Sequence, residues 1–290
     1  MAQDHAENRT IVTADGVEGE GETSPPTALG TSGKEVAGGK VKAALRGSIP
    51  GIVMWGGLFV IWELGSRFFG LPAYILPSPT DIVLALVKFF PYLLENLQVT
   101  LVETLVGFAW GVIGGVILAI GIGYSDFLKK GLFPMLMAFQ AVPKVAIAPV
   151  LTVWFGMGLM PKFVMAFFIS FFPVVVNALA GLMDVPTNMV ELVRVMRASP
   201  AQLFWKIRMP HSLPYIFDGA KIALPLAIIG AIIGEFVGSE HGLGNVILIT
   251  SSQLNMALLF ATLVVLTVFS LILFGILIWI ERKVVWWRGL

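Results

Sequence analysis

Five stretches of this chain, 51 to 70, 100 to 124, 162 to 183, 213 to 238 and 256 to 280, run apolar over roughly the 20 residues that a helix needs to cross a hydrocarbon core of about 30 Å. Backbone N–H and C=O groups find no partner in lipid, so such runs fold as helices that satisfy themselves internally. The rest of the composition agrees: 57% of the residues are hydrophobic, 13% are charged, and the mean hydropathy is +0.88. An all-α integral membrane protein is expected.

A sixth run, 131 to 156, is ambiguous. As one helix it would measure about 39 Å, too long for a straight span and too short for two. Pro143 and Pro149 fit a kinked or broken single span. Charge placement favours six spans with both termini in the cytoplasm. The inner segments then hold the basic residues of the N-terminal tail, Lys129 and Lys130, Arg194, Arg197, Lys206 and Arg208, and Arg282, Lys283 and Arg288. The outer segments hold Arg67, Lys88 and Lys162, which satisfies the positive-inside rule at every loop. Splitting 131 to 156 would reverse that balance.

Residues 1–46 are a different polymer, rich in Gly, Ser, Thr and acids, and are expected to form a disordered cytoplasmic tail, with residues 47–290 as the transmembrane domain. Zero cysteines and three scattered histidines argue against thiolate, redox or metal chemistry, and a net charge of +1 argues against a nucleic-acid partner. No phosphate loop is present: around Gly33-Lys34, Ala28 and Glu35 stand where Gly and Ser/Thr are required. The spans contain no Ser with a His or Lys base, so no catalytic residue is assigned.

The stretch "ELVRVMRASPAQLFWKIRMP", 191 to 210, cannot itself be a span. Its six Leu, Val, Ile and Phe residues contribute about −2.5 kcal/mol to insertion, whereas its five charges cost on the order of +12 kcal/mol. It reads as two short amphipathic helices. Leu192, Val195 and Met196 face one way on the first, and Glu191, Arg194 and Arg197 another. Ser199-Pro200-Ala201-Gln202 has the form of a capping box opening the second, which Pro210 is expected to stop before the next span. Within the spans, Gly107, Gly111 and Gly115 make a smooth face for helix contact. Gln140, Lys144, Asn177 and Glu235 are polar groups in costly positions, and each is a candidate for a solute pathway, as is Glu103. Packing readings stand beside these: Asn177 as glue between helices, Glu103 and Glu235 as paired groups, Lys144 bonded to a carbonyl freed by Pro143, and Lys221 reaching to the cytoplasm.

The 191 to 210 stretch resembles the cytoplasmic motif of ATP-binding cassette (ABC) importer permeases, Glu-Ala-Ala, three residues, Gly, nine residues, Ile, one residue, Leu-Pro, with Glu191, Ile207 and Pro210 at the matching positions. Leu192 and Val193 replace the alanines, Arg197 the glycine and Met209 the leucine. Arg resists the close turn that Gly permits. Together with "ILPSPTDI", "AVPKVAIAPVLTVWFGMG" and "GEFVGSEHGLG", the chain is similar over about residues 50 to 285 to the nitrate, sulfonate and taurine branch of that family. The resemblance implies a homodimeric permease of the type I importer fold in a bacterial inner membrane, with two ATPase subunits and a periplasmic or lipid-anchored solute-binding protein. It also implies that ATP and Mg are used by the partner ATPase while this chain binds no cofactor, and that the solute is nitrate-, sulfonate- or taurine-like, or a pyrimidine or aromatic compound. Coupling helices would occupy about 187–210, with Glu191, Arg194, Arg197, Ala198, Ser199, Ile207 and Pro210 as contact residues. A stand-alone transporter driven by an ion gradient is the alternative; against it, the spans lack a cluster of carboxylates suited to ion coupling.

Overall fold

The computed structural model describes residues 53–289 apart from 55, 69 and 71, so the expected N-terminal tail lies outside the described residues. The chain divides into two units, Met1–Gly56 and Gly57–Leu290, and every element below belongs to the second. Helix α1 covers residues 57–68. Helix α2 (Pro79–Lys88) opens on a capping box in which Ser78 and Asp81 satisfy each other's backbone amides, the physical content of the Ser-Pro-Thr-Asp sequence. Then come α3 (Phe90–Tyr124), α4 (Asp126–Gln140), a 3-10 turn (Lys144–Ile147), α5 (Ala148–Phe155) and α6 (Leu159–Met183). A surface excursion, α7 (Thr187–Val195) and α8 (Pro200–Leu203), passes through a π turn (Phe204–Arg208) into α9 (Met209–Gly238). Helices α10 (Leu243–Ser252) and α11 (Met256–Val284) complete the bundle.

Among the described residues, four rods are long and apolar enough to cross a membrane: α3, α6, the continuous stretch Pro200–Gly238, and α11. The ambiguous sixth run folds as α4 and α5 bent by 90° at the break before Pro143, which has no N–H to continue α4. Counted as one element, the bent pair brings the spans to five, and the first expected run, 51 to 70, is described in part as α1.

Pro210 does not stop a helix. The chain runs through it, because the π turn, closed by Met209 N–H donating to the Phe204 carbonyl, widens the backbone ahead of the proline ring. Pro210 then sits in the first turn of α9, where a missing N–H costs little.

The bundle is centred on α6. A Cβ on Gly107 would collide with the Cβ of Ala166, one on Gly111 with Ser170 Oγ, and one on Gly115 would lie 2.9 Å from Val174, so α3 packs backbone to backbone along one side of α6. From the other side, Gly230 and Gly234 of α9 bring hypothetical Cβ positions within 2.7 Å of Ala166 Cα and 2.8 Å of Lys162 Cα. Ala166, fully buried, is thus the crossing point of three helices. Lipid supplies no hydrophobic drive between spans, so this close approach of small residues is what holds them. Helix α11 attaches to α2 and α10 through a separate apolar cluster of Ile82, Leu93, Leu243, Val246 and Leu258.

Candidate functional site

At one end of the bundle the surface excursion is built from local backbone chemistry. Helix α7 ends in a Schellman turn: Ala198 N–H donates to the Val193 carbonyl (3.2 Å) and Arg197 N–H to that of Arg194 (2.9 Å). Arg197 takes the left-handed conformation, with φ 55°, at the position where the family motif has Gly. The turn is therefore kept despite the side chain, at a backbone cost of roughly 1–2 kcal/mol. Ser199 then caps α8 in the expected box: its Oγ accepts from Gln202 N (3.3 Å) and its N–H donates to Gln202 Oε1 (2.8 Å).

The excursion projects away from the bundle. Glu191, Arg194, Arg197 and Ser199 are exposed, and Ala198, Ile207 and Pro210 are half-buried. Beside the charges stand exposed apolar side chains, among them Leu192, Val195 (81% exposed), Met196 and Trp205. Between Pro186 and His211 the one buried side chain is Phe204, which enters an apolar cluster with Ala119 and Ile122 of α3, Val175, Ala178, Leu179 and Leu182 of α6, and Ile216 of α9. The base of the excursion is closed by Tyr215, whose hydroxyl donates to Asp184, with His211 Nε2 3.9 Å from the same carboxylate.

A polar cluster occupies the opposite end. Lys162 Nζ donates to Glu103 Oε1 (2.9 Å) and to Ser239 Oγ (2.6 Å), and both charged side chains are buried. Lys162 therefore does not lie in water as an external loop residue; it is drawn into the bundle because Gly234 leaves room for its stem. Glu235 is also wholly enclosed. Its Oε1 accepts from Thr100 Oγ1 (2.7 Å) and its Oε2 from the Gly244 amide. Thr100 Oγ1 accepts in turn from Leu243 N (2.9 Å), and Asn96 Oδ1 accepts from Gly242 N (2.8 Å). Three successive amides at the start of α10 are thus held by side chains of α3 and α9. The glycines of "GEFVGSEHGLG" follow from this: a Cβ on Gly242, which has φ 109°, or on Gly244 would overlap the Glu235 carboxylate. Beside the cluster lies a cavity of about 560 Å³ lined by Val99, Met157, Leu159, Lys162, Glu240 and His241.

The four pathway candidates do not converge. Lys144 donates to the Gln140 carbonyl (3.2 Å) in the break between α4 and α5 and lies 5.8 Å from the Phe172 ring, so these two meet. Asn177 bonds back to Pro173 O (2.8 Å) on its own helix, and Glu235 stands apart in the amide-holding cluster. Lys221 is half-buried: its Nζ lies 2.7 Å from Glu281, joining α9 to α11, and 3.1 Å from Asp218. The Lys162–Glu103 pair and the α10 clasp were not anticipated as units. The signal available was two costly groups of opposite charge in different apolar runs.

Apolar rods around a glycine-lined centre, with one amphipathic excursion, define a helical integral membrane protein. The family model for the binding-protein-dependent transport system inner membrane component matches residues 111–286, and the chain belongs to that family. It is a permease subunit of an ABC importer, a transport component and not an enzyme, and its partners are an ATPase subunit and a solute-binding protein. Among its relatives is a probable ABC transporter permease of Haemophilus influenzae, 35% identical over 81% of this chain and 96% of that one. The formylaminopyrimidine transport permease protein ThiX of Halalkalibacterium halodurans is 32% identical over 80% of this chain and 92% of its own. The riboflavin transport system permease protein RibX of Chloroflexus aurantiacus is 34% identical over 80% and 87%. Among solved structures, a chain of the MetNI methionine ABC transporter in an inward-facing conformation superposes with TM-score 0.59 at 22% identity, covering 68% of this chain and 98% of that one. The fold is that of type I importer permeases, and the family assignment replaces the gradient-driven alternative.

Proposed function

We propose that two copies of this chain form the pathway for a small aromatic nitrogen heterocycle and that two ATPase subunits, which use ATP and Mg, dock on residues 187–210 from the cytoplasmic side. In this reading both termini are cytoplasmic, the cavity beside Lys162 faces the solute-binding protein, and this chain binds no cofactor. The observation that carries it is the exposed amphipathic ridge of α7 and the π turn, which is joined at both ends to long rods. A push on such a ridge tilts the rods as rigid bodies and so alternates access.

Two observations support a heterocycle over an oxyanion. The relatives at 32–34% identity are named for formylaminopyrimidine and riboflavin, whereas those named for sulfonates, taurine and nitrate fall at 24–27%. In addition, the charge of Lys162, the cation lining the cavity, is already matched by buried Glu103. The test is uptake into proteoliposomes holding the permease, its ATPase subunit and its binding protein, with a labelled pyrimidine set against nitrate and taurine. ATP-dependent pyrimidine uptake that survives collapse of ion gradients is expected. Uptake of the oxyanions in its place would overturn the substrate assignment, and uptake abolished by ionophores would overturn the energy source.

A further inference from the structure

The coupling reading leaves open how a displacement of the excursion reaches α3, the long rod that is not its chain neighbour. Residues 187–203 touch the bundle core through no buried side chain of their own, and the two covalent connections run into α6 and α9. Contact with α3 falls to the π turn. Phe204 meets Tyr124, the last residue of α3, edge to face, with ring centroids 5.4 Å apart and planes at 70°. Four residues later, Arg208 places its guanidinium 5.9 Å from the centre of the same ring. Positions four apart share one face of a helix. Phe204 and Arg208 therefore stand on one side, and Tyr124 is held by both. The edge-to-face pair and the cation over the ring hold three groups in register during a small tilt.

We propose that Phe204 and Arg208 grip Tyr124 and that this grip delivers displacement of the excursion to α3, which makes Phe204 a positioning residue for the coupling of ATP hydrolysis to import. The inference rests on the docking reading above. The side chain that carries it is the one buried group of the segment, and it reaches α3, α6 and α9 at once. In its absence the excursion can still bind an ATPase subunit, because the exposed ridge is untouched. Hydrolysis then proceeds with α3 left behind.

The experiment uses the complete assembly in proteoliposomes and reads ATP hydrolysed per solute imported. Phe204→Ala is expected to raise that ratio about tenfold or more, within the ordinary range of coupling between two sites, and Phe204→Leu, which refills the cavity, is expected to restore it in large part. A ratio unchanged in Phe204→Ala with the ATPase subunit bound overturns the proposal, as does a loss of hydrolysis and import in equal proportion. The chain has no cysteine, so a second measurement is free of background. With Tyr124→Cys and Arg208→Cys together the grip is removed, so the ATP hydrolysed per solute imported is expected to rise, and a short reducible thiol crosslinker joining the two positions is expected to bring it back towards the wild-type value. A ratio that stays at the wild-type value in the uncrosslinked chain, or import blocked by the crosslink and recovered on reduction, overturns the grip even if Phe204→Ala fails to assemble. The docking reading is scored separately by a crosslinker on Met189→Cys: capture of the ATPase subunit sustains it, and no capture overturns it and the grip together.

Discussion

Lys162 Nζ lies 2.9 Å from Glu103 Oε1, and neither side chain reaches solvent. The pair joins α6 to α3 across a distance where each charge alone would be strongly disfavoured. Ser239 takes a further donor of the ammonium, which ties the loop after α9 to the same point.

Removing one partner strands the other. Lys162→Met is expected to destabilise the protein by about 3–5 kcal/mol, because the Glu103 charge is left buried and unpaired. The double change with Glu103→Leu is expected to recover most of that loss. Thermal unfolding in detergent of the two variants beside the wild type measures both; equal losses would show that the pair is not the unit.

Gly244 lies against Glu235 with no space for a methyl group: a Cβ there would be 2.6 Å from Oε2 and 2.9 Å from the Ile232 carbonyl. Backbone cannot yield as a flexible side chain can, so Gly244→Ala is expected to cost about 1–3 kcal/mol and to free α10. Limited proteolysis of the 239–255 region should cleave the variant faster than the wild type.

Arg197 holds a left-handed backbone that Gly adopts freely. Arg197→Gly relieves about 1–2 kcal/mol of strain and returns about 0.5–1 kcal/mol as lost chain entropy, a net gain of about 0–1.5 kcal/mol. The melting temperature should rise slightly. If Arg197 also contacts the ATPase subunit, the same variant should show weaker subunit retention together with the higher melting temperature.

Glu191 stands on the exposed face of α7 beside Arg194. Glu191→Lys reverses its charge without touching the bundle, so the fold should be unchanged while co-purification of the ATPase subunit falls about tenfold, equivalent to ~1.4 kcal/mol. Retention at the wild-type level would remove Glu191 from the docking surface.

The sequence made the local devices readable because each is contained in a few consecutive residues. The Ser199–Gln202 box, the break at Pro143 and the Gly107-Gly111-Gly115 face all follow from short spacing, and all are present. Pro210 was misread because its usual effect, stopping a helix, is avoided by a backbone widening that no residue type announces. The partners of Lys162, Lys221 and Glu235 were not legible for a different reason. The cost of burying each is legible in the sequence, but the partner that offsets it lies 59, 60 and 135 residues away, and only the packing of α3, α6, α9 and α11 brings them together. Within one copy of the chain, packing places the four candidate groups at a helix break, on a helix's own carbonyl and in an amide clasp.

That clasp reverses an ordinary expectation about mobility. Connections between spans usually exchange their amide hydrogens with water long before the helices do. Here the amides of Gly242, Leu243 and Gly244 are bonded to Asn96, Thr100 and Glu235, groups that are themselves buried. Deuterium can enter those three positions only when the start of α10 parts from α3 and α9, so the turn between α9 and α10 should label nearly as slowly as the helix centres and report on release of α10 from the bundle.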